Sequence, residues 1–199
     1  MAVLSEEAGG SRVGTRWAVD PLDGTTNFMR GLPIVGVSVG LLQDGRPEIG
    51  VVIAPWLGLE FAAQRGSGAT LNGEPLPPLA TVDPKGAVVF TGPPFRWKHR
   101  LPYYDRVLRG ALDRFEDVRR TGAASLDLAW TAAGTFDGFF ELSLGTWDMA
   151  AGSALLLEVG GRVSDWSGAA GWLESGDLLA AAPGVHEALV ELAGQASQG

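Results

Sequence analysis

The first half of the chain reads in steps of two. Trp17, Ala18 and Val19 predict a short buried strand ending at Asp20-Pro21-Leu22-Asp23-Gly24, after which Thr25, Thr26 and Asn27 are fit to cap a helical turn. Residues 34–42 and 48–53 predict two strands joined at Asp44-Gly45, and 60–65, 69–71 and the Asn72-Gly73 turn extend this hairpin-rich stretch. The second half alternates. A strand at 86–91 is followed by an amphipathic helix at 103–115 and a helix at 125–133 closed by Gly134. A strand at 136–142, a helix at 148–159 stopped by Gly160-Gly161, a strand at 178–182 and a helix at 185–193 complete the pattern. Such alternation predicts layered α/β packing rather than a bundle or a sandwich. The opening is different: Val3 and Leu4 run straight into Ser5-Glu6-Glu7, with no element before them to pack against.

A length of 199 residues, 46% of them hydrophobic, suits a single domain over 1–199 with one sizeable core. The longest apolar runs, 36–42 and 178–182, are too short to span a bilayer, and Met1–Glu7 has no signal-type start, so the expected location is cytoplasmic. With no cysteine there are no disulfides, thiolate ligands or thiol nucleophile. A net charge of −8 argues against nucleic-acid or anionic-membrane partners, whose binding depends on basic side chains.

That charge changes the picture only where carboxylates gather. Asp20 and Asp23 flank a tight turn at a strand end, where both, with a backbone carbonyl between them, can surround one hard cation. Taken alone, Asp-Pro-x-Asp-Gly is more often an ordinary turn. The following Gly24-Thr25-Thr26 offers backbone N–H groups at a helix start, an anion site beside the cation site. Thr25 has a plain reading as a cap, Glu6-Glu7 as a solvated charged end, and Asp148 as an acidic first-turn residue favoured by the helix dipole. His99 and His186 belong to no motif, and Phe95, Trp97, Tyr103 and Tyr104 read as packing or a loop near a pocket.

The stretch from Trp17 through Asp20-Pro21-Leu22-Asp23-Gly24-Thr25-Thr26-Asn27 to Phe28 resembles the first signature of the inositol monophosphatase family. Trp147-Asp148-Met149-Ala150-Ala151-Gly152, with Leu156-Leu157-Glu158 and Gly160-Gly161, resembles the second. Ser5-Glu6-Glu7 is similar to the family's Gly-Glu-Glu element, and Arg119 to Ala124 and Phe140-Glu141-Leu142 are similar to its substrate-side segments. The resemblance implies an αβαβα sandwich, lacking here the two N-terminal helices with which the family begins. It implies Mg²⁺ held by Glu6, Asp20, Asp23, Asp148 and the Leu22 carbonyl, with Glu6, Asp20 and Thr25 catalytic. Gly24, Thr25, Ala124, Glu141 and Asp148 are the substrate-binding positions it implies, in a homodimer. The implied reaction is hydrolysis of a small phosphate monoester, inositol monophosphate first, by an activated water. Histidinol phosphate, other sugar or nucleotide phosphates, or a binding protein without turnover are the alternatives. The family's lysine and aspartate from the N-terminal helices would be missing, which bears on activity.

Overall fold

The computed structural model describes residues 2–10 and 14–198. An eight-stranded sheet has the order β2-β1-β3-β4-β5-β6-β7-β8: β1 (Ala2–Ser5), β2 (Gly9–Gly10), β3 (Arg16–Asp23), β4 (Gly36–Gln43), β5 (Arg46–Ala54), β6 (Leu59–Gln64), β7 (Ala69–Leu71) and β8 (Glu74–Pro75). The short helix α1 (Thr25–Met29) leaves the end of β3. A second, five-stranded sheet runs β10-β9-β11-β13-β12, formed by β9 (Val88–Gly92), β10 (Asp117–Arg119), β11 (Gly138–Glu141), β12 (Arg162–Ser164) and β13 (Leu178–Ala181). Helices α3 (Ala124–Ala132) and α4 (Thr146–Glu158) lie between the sheets, with the short α5 (Trp172–Ser175) beside them. On the far face of the second sheet lie α2 (Leu101–Arg114) and α6 (Val185–Ala196). The layers therefore run sheet, helix pair, sheet, helix pair, the α+β layering expected from the sequence.

Turn chemistry sets the hairpins. Asp44 and Gly45 have φ of 49° and 75°, and Asn72 and Gly73 have 51° and 83°, both positive in each pair as a tight two-residue hairpin turn requires. The helix pair is small-residue and closely docked. A Cβ on Gly40 would lie 2.7 Å from the Ala150 Cβ, and one on Gly50 would lie 2.3 Å from the Ala151 carbonyl oxygen, so α4 approaches the sheet at backbone distance. A Cβ on Gly152 would stand 2.4 Å from that of Leu128, and α4 meets α3 just as closely.

Several expectations are corrected. The opening residues do have a partner: β1 pairs in parallel with β3 and buries Leu4, while Met1 lies outside the described residues. The parallel mate is formed from chain that follows rather than precedes it, which local reading cannot see. The strands β10 and β12, of three residues each, escaped detection because so short a run has no period. The helix expected from Asp148 starts two residues earlier at Thr146. Val37, Val39 and Leu41 of β4, with Trp17 and Val19 of β3 and Val51 and Ile53 of β5, are half-buried on the face turned away from α4. Among the described residues no helix covers that face. Val35 does not belong to it and is buried.

Candidate active site

A bulge makes the acidic centre. Strand residues alternate faces, so Asp20 and Asp23, three apart, should point in opposite directions. In β3, however, Asp20 pairs with Ser38 and Asp23 with Gly36, so three steps on β3 answer two on β4. The extra residue at Pro21-Leu22 restores both carboxylates to the face that α4 covers. There they meet Asp148 from the first turn of α4, which is placed when the Ser38 hydroxyl donates to the Trp147 carbonyl at 2.9 Å. One oxygen from each of Asp20, Asp23 and Asp148 lies within 4.8 Å of the others. Asp20 also belongs to a second such group with Glu6 and Glu7, at the end of β1. Of the five metal-binding positions implied by the resemblance, Asp20, Asp23 and Asp148 come together directly, Glu6 joins through Asp20 and Leu22 lines the same cavity, while Glu7 is an addition.

Each carboxylate is oriented by backbone donors. Asp20 accepts from the Leu22 N–H at 2.9 Å, and Asp148 from the Gly145 N–H at 2.7 Å. Asp23 accepts from both the N–H and the hydroxyl of Ser125, at 2.7 and 2.6 Å. The electrostatics remain unfavourable. Burial, then the neighbouring Asp23 and Glu6 charges, push Asp20 up to about 6 against the lowering effect of the Leu22 N–H. Burial raises Asp23, and burial with the Asp23 charge raises Asp148 well above the usual carboxylate range. No arginine or lysine forms an ion pair with these three among the described residues. Buried carboxylates packed together without a positive partner fit a bound hard cation, and their all-oxygen donors suit Mg²⁺ or Ca²⁺ chemistry.

Beside this cluster Gly24, at φ 84°, turns the chain into α1; a Cβ there would stand 2.9 Å from the Ile34 carbonyl oxygen. The cap position thus belongs to Gly24 rather than to Thr25. The Thr25 hydroxyl donates to the Leu22 carbonyl at 3.1 Å, the same oxygen expected to face the metal. Asn27 ties this turn to the opposite wall, donating to the Ile34 and Thr121 carbonyls at 2.8 and 3.0 Å.

The opposite wall carries Glu141 at the end of β11, beside Ala124 and Gly122. Glu141 pairs in register with Gly92, where any Cβ would lie 2.1 Å from its carboxylate, so the glycine leaves the room that the side chain fills. Burial, then the Asp23 charge, push Glu141 up to about 8, and Arg120 partly offsets this. These walls enclose a cavity of about 170 Å³ that is also lined by Glu6, Thr25, Phe95, Arg96 and Trp97. Phe95 and Trp97 stand half-exposed on its rim, whereas Tyr104 is buried in the outer core and Tyr103 is packed against it. His99 is exposed, and His186 is buried against the Ser164 hydroxyl at 2.9 Å; neither touches the acidic centre.

Sequence reasoning missed the supports. Ser125 looked like an ordinary helix start, and its contact with Asp23 spans 102 residues. Asp127, buried in α3 and raised well above the usual range by burial, holds the Thr121 hydroxyl and closes the turn that presents Gly122 and Ala123. A buried Asp in an apolar helix was the available signal.

Known proteins resemble the chain over nearly its whole length. The profile of the inositol monophosphatase family matches residues 1–198. A Salmonella typhimurium protein named Nus factor SuhB is 42% identical over 192 residues, covering 94% of this chain and 72% of its own length. The structure of inositol monophosphatase from Anabaena superposes with a TM-score of 0.91 at 33% identity, covering 98% of this chain and 78% of its own. Staphylococcus aureus SaIMPase-II, solved with inositol monophosphate bound, gives a TM-score of 0.88 at 27% identity, covering 98% and 77%.

Proposed function

Since the chain belongs to the inositol monophosphatase family, we propose that its acidic pocket hydrolyses a small phosphate monoester, with an inositol monophosphate as first substrate, in a Mg²⁺-dependent reaction. The observation that carries this reading is the gathering of Asp20, Asp23 and Asp148 oxygens within 4.8 Å, without a cationic partner among the described residues, on the floor of a cavity. Asp20, Asp23, Asp148 and Glu6, with the Leu22 carbonyl, would hold the ions. When bound, Mg²⁺ supplies neutralisation of the phosphoryl charge, a more acidic water and a stabilised leaving alkoxide.

The chain's own residues do the positioning. Backbone N–H groups of Gly24 and Thr25 hydrogen-bond phosphate oxygens. The Thr25 hydroxyl hydrogen is committed to the Leu22 carbonyl, which leaves its lone pairs to accept a hydrogen bond from the attacking water. Glu6, exposed at the mouth, takes that water's proton as the new phosphorus–oxygen bond forms and the ester bond breaks. The proton taken by Glu6 passes on through solvent to the leaving alkoxide, so one water yields one alcohol and one inorganic phosphate. Glu141 accepts from substrate hydroxyls, against the backbone at Ala124.

The test is phosphate release from inositol 1-phosphate, run beside histidinol phosphate. Mg²⁺-dependent release that EDTA abolishes is expected; no release from any phosphate monoester at millimolar Mg²⁺ would refute the reading. The name Nus factor SuhB borne by several relatives favours one second reading, a binding or regulatory protein built on the same pocket. Substrate and Mg²⁺ binding without turnover would select it.

A further inference from the structure

The two arginines lining the cavity stand in different circumstances. Arg96 lies 3.8 Å from Glu6 and 5.8 Å from the centre of the Phe95 ring. Arg120 sits on the wall beside Glu141 and has no hydrogen-bond or ion-pair partner among the described residues. Its neighbour Arg119 turns outward to Asp117. The Arg120 guanidinium is instead folded back over Gly122, where a Cβ would stand 2.8 Å from Nη1 and 3.2 Å from Cζ. Gly122 has a φ of 91° and lacks a side chain, so the turn leaves a slot in which the guanidinium lies against the cavity. Glu141 and Asp127 feel the Arg120 charge, yet neither approaches within ion-pair distance.

A planar guanidinium without a partner among the described residues, on the wall of a pocket whose floor gathers Asp20, Asp23 and Asp148, is suited to one ligand chemistry, an oxyanion met by two parallel N–H donors. The scissile phosphate already has its place at the Gly24 turn and the carboxylate cluster. We propose that Arg120 is a specificity-determining residue that binds a second anionic group of the substrate, so that the favoured substrates are phosphate monoesters carrying a further phosphate or a carboxylate. The inference rests on the phosphatase reading above and narrows its substrate class. If Arg120 only offset the charges of Glu141 and Asp127, its loss would weaken every ester alike.

Two matched pairs separate these cases: glycerol 2-phosphate against 2-phosphoglycerate, and fructose 1-phosphate against fructose 1,6-bisphosphate. Within each pair one anionic group is added. Dissociation constants are measured calorimetrically on the full chain with Ca²⁺, and kcat/KM with Mg²⁺, for wild type, Arg120→Gln and Arg120→Lys. The wild type should favour the more anionic member by about tenfold, and Arg120→Gln should bring the ratio to within about twofold. Arg120→Lys should keep part of the preference. Preference within only one pair supports the proposal and identifies the group as phosphate or carboxylate. Equal affinity for both members in the wild type, or equal losses for both in Arg120→Gln, overturns it. Discrimination in binding without phosphate release sinks the phosphatase reading and leaves this one standing, whereas release without discrimination does the reverse. Arg120 is exposed, so an unchanged melting temperature serves as the folding control.

Discussion

Replacing Glu141 by Gln should stabilise the metal-free protein near neutral pH. The side chain keeps its shape and its place against Gly92, and only the ionisable proton is lost. In the folded chain burial and the Asp23 charge push Glu141 up to about 8, against a usual 4.5. A raised carboxylate binds more protons folded than unfolded, so stability falls as pH climbs from about 4.5 and levels off above about 8. At pH 7 the penalty approaches about 3 kcal/mol, taking 1.36 kcal/mol for each unit between 4.5 and 7. For a domain of this size that corresponds to a rise in Tm of roughly 6–10 °C. The assay is thermal and guanidinium unfolding in EDTA at pH 5 and pH 7.5, for wild type and Glu141→Gln. Similar stability at pH 5 and a more stable variant at pH 7.5 are expected. Mg²⁺ should shrink the difference, since neutralising Asp23 removes one cause of the shift. Parallel pH profiles with a constant offset would refute the reasoning, because the penalty would then not come from ionisation of Glu141.

Asp20→Asn or Asp148→Asn should lower phosphate release at least roughly a hundredfold while leaving metal-free stability unchanged or higher; near-normal turnover at saturating Mg²⁺ would remove that residue from the metal set. Ca²⁺, with its looser coordination, should compete with Mg²⁺ without supporting turnover, and equal rates with the two ions would count against the mechanism. Gly50→Ala places a Cβ 2.3 Å from the Ala151 carbonyl oxygen, so α4 must move away from the sheet at a cost of about 3 kcal/mol, read as a lowered denaturation midpoint. Ser143 is held at φ 66° between Glu141 and Asp148, and Ser143→Gly should gain nearly 1 kcal/mol from relief of that strain, less the hydrogen bond its hydroxyl accepts from Arg100.

The elements of the central layers were legible because the β4–β5 hairpin alternates apolar positions around Asp44-Gly45, while α4 is a long apolar run closed by Gly160-Gly161. The carboxylates were legible as residues, through the spacing of Asp20, Asp23 and Asp148 within two long motifs. Their convergence was not. It depends on an unpaired residue at Pro21-Leu22 that only the register with β4 reveals. Nor could the sequence show that Glu7 shares a group with Asp20, or that Arg120 rather than Arg119 faces the cavity, since adjacent arginines have no local feature to tell them apart. The roles of Ser125 and Asp127 were hidden for a related reason: their partners, Asp23 and Thr121, are chosen by packing, and an Asp within an apolar helix marks the residue without naming its partner.

The bonds that join the two walls of the pocket also bear on how it forms. Ser125 reaches Asp23 across 102 residues, Asn27 reaches Thr121 across 94, and Ser38 reaches Trp147 across 109. Closing loops of that length is entropically unfavourable until many other contacts compensate, so such contacts are made late on a folding route. The hairpins of the large sheet can assemble from near neighbours, but Asp148 joins Asp20 and Asp23 only once α4 has docked. In refolding, recovery of divalent-ion affinity should therefore trail the appearance of β structure and coincide with the slowest docking phase, with the ion favouring the end of the route rather than its beginning.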